Sequence, residues 1–229
     1  MNKPEFHPIR ELSLLFDNMR DNPLREFMRF VFSRNPGLLR EFLVAPSSRR
    51  LHHAYAGGLA FHSITVAKLG LQTARHYNKL GIAVNEELVV AGALIHDIGK
   101  IHCYTRDCPN KGDKKAAYGQ CFCDPKSEYH HVPRASLYHH IPFGILDVSK
   151  LADKFNETRE KPDHTLTQKK IDKLLHIILS HHGRKAWSSP VLPQFVEAYI
   201  IHSLEMMDAY VEKFDSGHVP STIYDGINY

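Results

Sequence analysis

Long apolar runs are missing from this sequence. No uninterrupted stretch approaches the roughly 20 residues that a membrane-spanning helix requires, and Met1 to Asp17 carries Asp, Glu and Pro where a signal peptide would have its apolar core. These absences make a soluble cytoplasmic protein the expectation. Charge of one sign is also scarce: a formal net charge of +4, with pI near 8.8, permits a phosphate-bearing partner without requiring one. No internal repeat recurs, and β alternation is lacking outside one stretch, which leaves an all-α reading. Cysteine is limited to four residues, Cys103, Cys108, Cys121 and Cys123, all inside that same stretch.

Histidine is what the chain has in abundance. There are 17 in 229 residues, several adjacent, at 52/53, 130/131, 139/140 and 181/182. Imidazole is the commonest side-chain ligand for transition metals, so a metal centre is the first chemistry to look for. A hydrophobic share of 43% is ordinary for a chain that buries a sizeable core.

Apolar spacing and capping residues predict an all-α domain of about seven or eight helices. Pro8 with Ile9, Leu12, Leu15 and Phe16 marks the first. Asn22-Pro23 reads as an N-cap and first helical proline of a second, reaching about Arg34, and Asn35-Pro36 restarts the pattern for Leu38, Leu39, Phe42 and Leu43. A polar loop from Pro46 to Gly58 follows. Leu59 to Tyr77 is a long helix carrying His62 in its first turn, and Asn85 caps an almost wholly apolar helix from Leu88 to Ile98 that Gly99 stops. Residues from about 102 to 133 lack periodicity and read as a surface insertion with room for a hairpin. Ala135 to Lys154 is helical again, with Pro142 as a kink or a first-turn residue. Thr167 caps a helix from Ile171 to His182, and Gln194 to Phe214 is the last before a tail with Gly, Pro and Ser.

The stretch Ala91-Gly-Ala-Leu-Ile-His-Asp-Ile-Gly-Lys100 ends an apolar helix on an adjacent imidazole and carboxylate. Burying a charged Asp is costly without a cation or hydrogen bonds. A His-Asp pair supplies one borderline nitrogen donor and one carboxylate able to bridge two ions. Alone, such a pair is more often a helix cap or a surface pair. Further donors stand at His62, His140, His181, His182 and Asp208; His139 offers the neighbouring register to His140, and Glu205 and His202 share the general face of Asp208.

The order His62, His96-Asp97, Asp208 resembles the H…HD…D ligand series of the HD superfamily of metal-dependent phosphohydrolases. His140 and His181-His182 resemble the second-metal set of its dinuclear members. Four blocks extend the likeness: His52-His-Ala-Tyr-Ala-Gly-Gly-Leu-Ala-Phe-His62, Ala91 to Lys100, Leu179-Ser-His-His-Gly183 with Trp187 and Ser189-Pro190, and Glu197-Ala to Met207-Asp-Ala209. Together they are similar to the HD domain of YhaM-type 3′→5′ exoribonucleases, and the first block also resembles HD-like segments of some plasmid relaxases.

The resemblance implies an all-α HD-domain helical bundle over 48–214, with helices over 1–47 packing on its core, an insertion at about 102–133 and a tail over 215–229. It implies that His62, His96, Asp97 and Asp208 hold one divalent ion, and that Asp97 bridges to a second held by His140, His181 and His182. Mn, Fe, Ni or Mg are the candidate ions. A water shared between them would be acidified to a hydroxide nucleophile, and Lys100, one turn from Asp97, would reach a nonbridging phosphate oxygen.

Two departures bear on the substrate. The resembled enzymes carry an OB-type nucleic-acid-binding module before the HD domain, whereas residues 1–47 here read as helices. Their segment after the HDxGK sequence is short, whereas about 30 residues are inserted here, close to where substrate would enter. The expected activity is therefore hydrolysis of a phosphoester in a nucleotide or short single-stranded nucleic acid. A nucleotide phosphomonoesterase and a nonenzymatic metal-binding module of a DNA-processing assembly are the alternatives. His53, Arg184 and Trp187 are expected beside the substrate. Cys103, Cys108, Cys121 and Cys123 would form a structural zinc site or remain reduced thiols.

Overall fold

The computed structural model describes residues 6–107 and 128–215, and in it the apolar periodicities become nine α-helices among the described residues. Proline stands in the first turn of α1 (Pro8–Asp17), α2 (Asn22–Ser33) and α3 (Pro36–Val44), where its missing N–H forfeits no helical bond. The cap of α2 is Asp21, whose Oδ1 accepts from the Leu24 N–H at 3.0 Å; Asn22, expected to cap, is already helical. After the loop come α4 (Gly58–Lys79) and α5 (Glu86–Ile95), the latter capped by Asn85 Oδ1 accepting from Leu88 N–H at 2.8 Å. A 3-10 turn, Ile98–His102, continues directly from α5.

The helix expected over Ala135–Lys154 is two helices, α6 (Pro133–Tyr138) and α7 (His140–Glu157). The break is at His139, with φ 63 and ψ 165, and Pro142 lies harmlessly in the first turn of α7. Capped by Thr167, α8 (Gln168–Ser180) ends just before His181, and α9 (Val196–Asp215) closes the described chain. The two ends of the insertion meet in a short antiparallel pair, β1 (Tyr104–Thr105) with β2 (His130–His131), in the register Tyr104 to His131 and Thr105 to His130.

Every residue of α5 from Leu88 to Ile95 is buried, as its nearly continuous apolar sequence demands, and the helix packs against α2, α4, α8 and α9. One apolar cluster runs from Leu12 in α1 to Leu204 in α9, so α1–α3 share a core with the helices that follow. Phe27, Phe32, Phe42 and Phe155 are fully buried in it, each contributing about 1.5–3 kcal/mol by leaving water. No helix among the described residues is long and apolar enough to cross a membrane.

Candidate metal centre

The buried axis of α5 ends at the point where five helices converge. His96 is its C-cap and Asp97 follows, while His62 comes from α4, His140 is the first residue of α7, His181 and His182 stand in the turn after α8, and Asp208 belongs to α9. Gly99 makes the approach of α7 possible. A Cβ there would lie 2.0 Å from the carbonyl oxygen of His140 and 2.5 Å from the backbone nitrogen of Gly144. Without a side chain at 99, the start of α7 rests on the 3-10 turn and brings His140 to Asp97. A second glycine, Gly183, takes φ +70 to end the α8 turn, and the His202 ring packs where a side chain at 183 would stand. His202 thereby donates from Nδ1 to the carbonyl of His181 at 2.8 Å.

Asp97 is wholly buried at the middle of the cluster, with a different pair of imidazoles facing each oxygen. On the Oδ2 side are His96 Nε2 at 3.4 Å and His62 Nε2 at 3.7 Å. On the Oδ1 side are His140 Nε2 and His181 Nε2, each at 3.3 Å. The paired nitrogens also face one another, at 3.2 Å for His62 and His96 and 3.3 Å for His140 and His181. His182 joins the Asp97, His140 and His181 group. Lys100 Nζ donates to Asp97 Oδ2 at 2.5 Å.

The tautomers follow from what lies behind each ring. His96 Nδ1 donates to the carbonyl of Ala93 at 2.6 Å, His181 Nδ1 to that of Ile178 at 2.8 Å, and His182 Nδ1 to that of Trp187 at 2.5 Å. With Nδ1 protonated in each, the neutral imidazole turns its Nε2 lone pair inward. Several lone pairs and a carboxylate aimed at one another repel unless positive charge lies between them. Hydrogen-bonding partners of this kind behind the rings are what orients histidines at metal centres generally.

Electrostatics agree with that demand. Burial alone would raise the carboxyl of Asp97, but Lys100 and His96 outweigh it and hold the group well below the ordinary carboxylate range. Burial opposes charge on His96 too, yet neighbouring Asp97 prevails and raises its pKa. Desolvation pushes His62 down to about 4 and His182 down to about 2, and it lowers His140 and His181 as well. The neutral nitrogens of His62, His140, His181 and His182 around an ionised carboxylate suit a divalent transition ion, and Asp97 Oδ1, buried without a hydrogen-bond partner, fits one.

Asp208 and the substrate candidates are placed differently. The carboxylate of Asp208 lies on the outer nitrogen of His62, Oδ2 to Nδ1 2.7 Å, and also accepts from His53 Nε2 at 2.8 Å. His53 is buried, with its other nitrogen 3.1 Å from the Tyr55 hydroxyl. Its donor grouping therefore joins His53, His62 and Asp208, apart from His62, His96 and Asp97. Arg184 is exposed and stacks its guanidinium 4.9 Å from the Trp187 ring, on the turn that supports His182. His139 is exposed, its ring 4.4 Å from that of His140.

Two further residues join the centre in three dimensions. His52 and Glu205 group with His62, and both are buried with an unpartnered atom, Nε2 and Oε2 respectively. Burial drives Glu205 up to about 7 and His52 down to about 2. Glu205 was signalled by its helical spacing from Asp208, whereas nothing periodic in the loop marks His52. Cys103 is a buried free thiol, its Sγ 3.4 Å from the Gly99 carbonyl and its pKa pushed up to about 12 by burial; Cys108, Cys121 and Cys123 lie outside the described residues, and with them the structural zinc site.

A family model described as HD domain matches residues 59–210, two thirds of the chain. This chain belongs to the HD-domain family. Its HD domain is 29% identical over 175 residues to the 3'-5' exoribonuclease YhaM of Listeria welshimeri, covering 76% of this chain and 46% of that protein. The protein of that name from Geobacillus sp. is 26% identical over 208 residues, covering 86% and 54%, and that from Oceanobacillus iheyensis is 28% identical over 169 residues, covering 74% and 43%. The HD-domain chain thus spans about half the length of the curated relatives it matches. No solved structure matches it.

Proposed function

We propose that this HD-domain protein is a metal-dependent phosphohydrolase that cleaves a phosphoester of a nucleotide or short single-stranded nucleic acid, in the manner of a phosphodiesterase or 3′→5′ exonuclease. The observation that carries the reading is the placement of one imidazole pair at each oxygen of Asp97. His62, His96 and Asp97 would hold one ion, and Asp97, His140, His181 and His182 a second. Bound divalent ions would supply an acidified water and neutralise charge gathering at phosphorus. Mn, Fe or Ni suits these donors better than Mg, because imidazole outnumbers carboxylate.

The chain's own groups have separable tasks. Asp97 spans the two positions and fixes their spacing. Lys100, already directed at Asp97 Oδ2, is one side chain's reach from a nonbridging phosphate oxygen and would offset its charge. Arg184 and Trp187 form a cationic and aromatic edge suited to a nucleotide's phosphate and base. Residues 48–214 constitute the HD unit in this reading, with 1–47 packing on it and 215–229 as a tail. The name exoribonuclease carried by the relatives supports a nucleic-acid phosphodiester as substrate.

The deciding experiment is a screen of chelated protein, reloaded with Mn²⁺, Fe²⁺, Ni²⁺ or Mg²⁺, against a generic phosphodiester, a generic phosphomonoester, nucleotides, and short single-stranded RNA and DNA. Turnover of the diester and of oligonucleotides with a transition ion is the expected result. Turnover of the monoester alone would replace the diesterase reading by a phosphatase. No turnover with any ion would favour a metal-binding module without catalysis.

A further inference from the structure

Two carboxylates of one helix, Asp208 and Glu205, lie close to the His62 ring. Asp208 and Glu205 are one turn apart on α9 and so lie on one face. Asp208 Oδ2 sits 2.7 Å from Nδ1 of His62 and accepts a hydrogen bond from it, while His53 Nε2, at 2.8 Å, holds that oxygen from the other side. A carboxylate behind a histidine fixes the tautomer and aims the opposite nitrogen, a supporting arrangement common at metal centres. His62 then has a single lone pair to offer, on Nε2, which faces His96 and Asp97.

His52 and Glu205 each place a donor atom within 4.8 Å of the other and of a His62 ring nitrogen. Since Nδ1 is committed to Asp208, only one ion can use His62, and it is the ion that His96 and Asp97 would also hold. Glu205 is 3% exposed and His52 8%, yet Glu205 Oε2 and His52 Nε2 have no hydrogen-bond partner. Buried polar atoms rarely go unpaired without a reason, and a cation would satisfy both of these.

We infer that Glu205 and His52 complete the donor set of the ion held by His62, His96 and Asp97, and that Asp208, with His53, is a positioning group for His62 and not a ligand. This rests on the two-ion reading above. It gives that position three imidazoles and two carboxylates, a set that favours Mn²⁺, Fe²⁺, Co²⁺ or Ni²⁺ over Mg²⁺.

Titration of the chelated full chain with Co²⁺, followed by visible absorption and by elemental analysis of bound cobalt, separates the roles. Wild type is expected to bind two ions. Glu205→Gln should lose one of them, or bind it more than about 100-fold more weakly, whereas Asp208→Asn should keep both with the roughly 10–100-fold weakening typical of an outer support. His52→Gln should weaken the same ion as Glu205→Gln and leave the other unchanged. Glu205→Gln retaining wild-type affinity for both ions overturns the inference, as does Asp208→Asn losing an ion outright. Far-UV circular dichroism of the metal-free variants controls for folding, and Glu205→Met, which keeps the side chain's length, repeats the test if the glutamine variant does not fold. Failure of wild type itself to bind cobalt would instead count against the two-ion reading.

Discussion

Asp97 is the residue on which the centre depends, because its oxygens face separate imidazole pairs. Asp97→Asn keeps the shape but removes the charge, and should cut kcat/KM by at least about 100-fold while bound metal, read by elemental analysis, falls in parallel. Lys100 offers a contrast. Lys100→Met removes a competitor for Asp97 Oδ2, so ion affinity should hold or tighten while kcat falls by roughly 100-fold, the usual cost of losing one donor to transition-state charge; a drop in ion affinity at constant kcat would show that the ammonium supports Asp97 alone. At this scale the sequence named most of the side chains that the fold brings together, because an adjacent His-Asp at the end of an apolar helix is already anomalous. It could not disclose which α9 carboxylate would take the outer nitrogen of His62. Asp208 and Glu205 share one face by spacing, and only the ring's orientation tells them apart. His53, expected beside the substrate, lies in a loop that folds inward and turns its ring nitrogens to Asp208 and Tyr55.

Between helices, the critical contact is that of the 3-10 turn with the start of α7. Gly99→Ala would drive a methyl into the backbone of His140 and Gly144, costing about 1–3 kcal/mol as the two segments part. The expected outcome is a lower Tm together with weakened binding of the ion assigned to His140, His181 and His182; thermal melts and cobalt titration check both. Helix existence was legible throughout, since apolar spacing, Pro at first turns and the caps Asn85 and Thr167 all act locally. The division of α6 from α7 was not. It depends on His139 adopting φ 63 and ψ 165, a conformation that no histidine favours and that only surrounding structure can impose. Positive φ recurs at His53 and Ser188, so all three such non-glycine residues among the described residues flank the centre, where long-range contacts override local preference.

Across the whole molecule the centre ties stability to metal and to pH. An ion supplied at about 100 times its Kd adds roughly 2.7 kcal/mol, so loading should raise Tm by several degrees over the chelated protein. In that chelated state burial lowers the pKa of His52, His62, His140, His181 and His182. Such groups take up protons on unfolding once pH falls below about 6.5, so their effect is to withdraw stability on acidification. Glu205, raised to about 7, and His96, also raised, act in the opposite sense, gaining stability as pH falls. With His131, His139 and His176, whose pKa values desolvation also lowers, eight groups oppose two, and thermal melts in chelator should show Tm falling between pH 7 and 5; a rise would contradict the buried neutral imidazoles. The neck of the insertion has a different consequence. The chain leaves the core at Tyr104–Thr105 and returns beside itself at His130–His131, so the separation of the two exits is set by the ladder and not by what lies between them. Closing a loop of another length across a fixed gap changes its entropy only slowly. The described ends of the insertion thus form a socket, and exchanging residues 108–127 for a short Gly-Ser bridge is expected to leave cobalt binding at the donors unchanged, which titration of the exchanged protein checks.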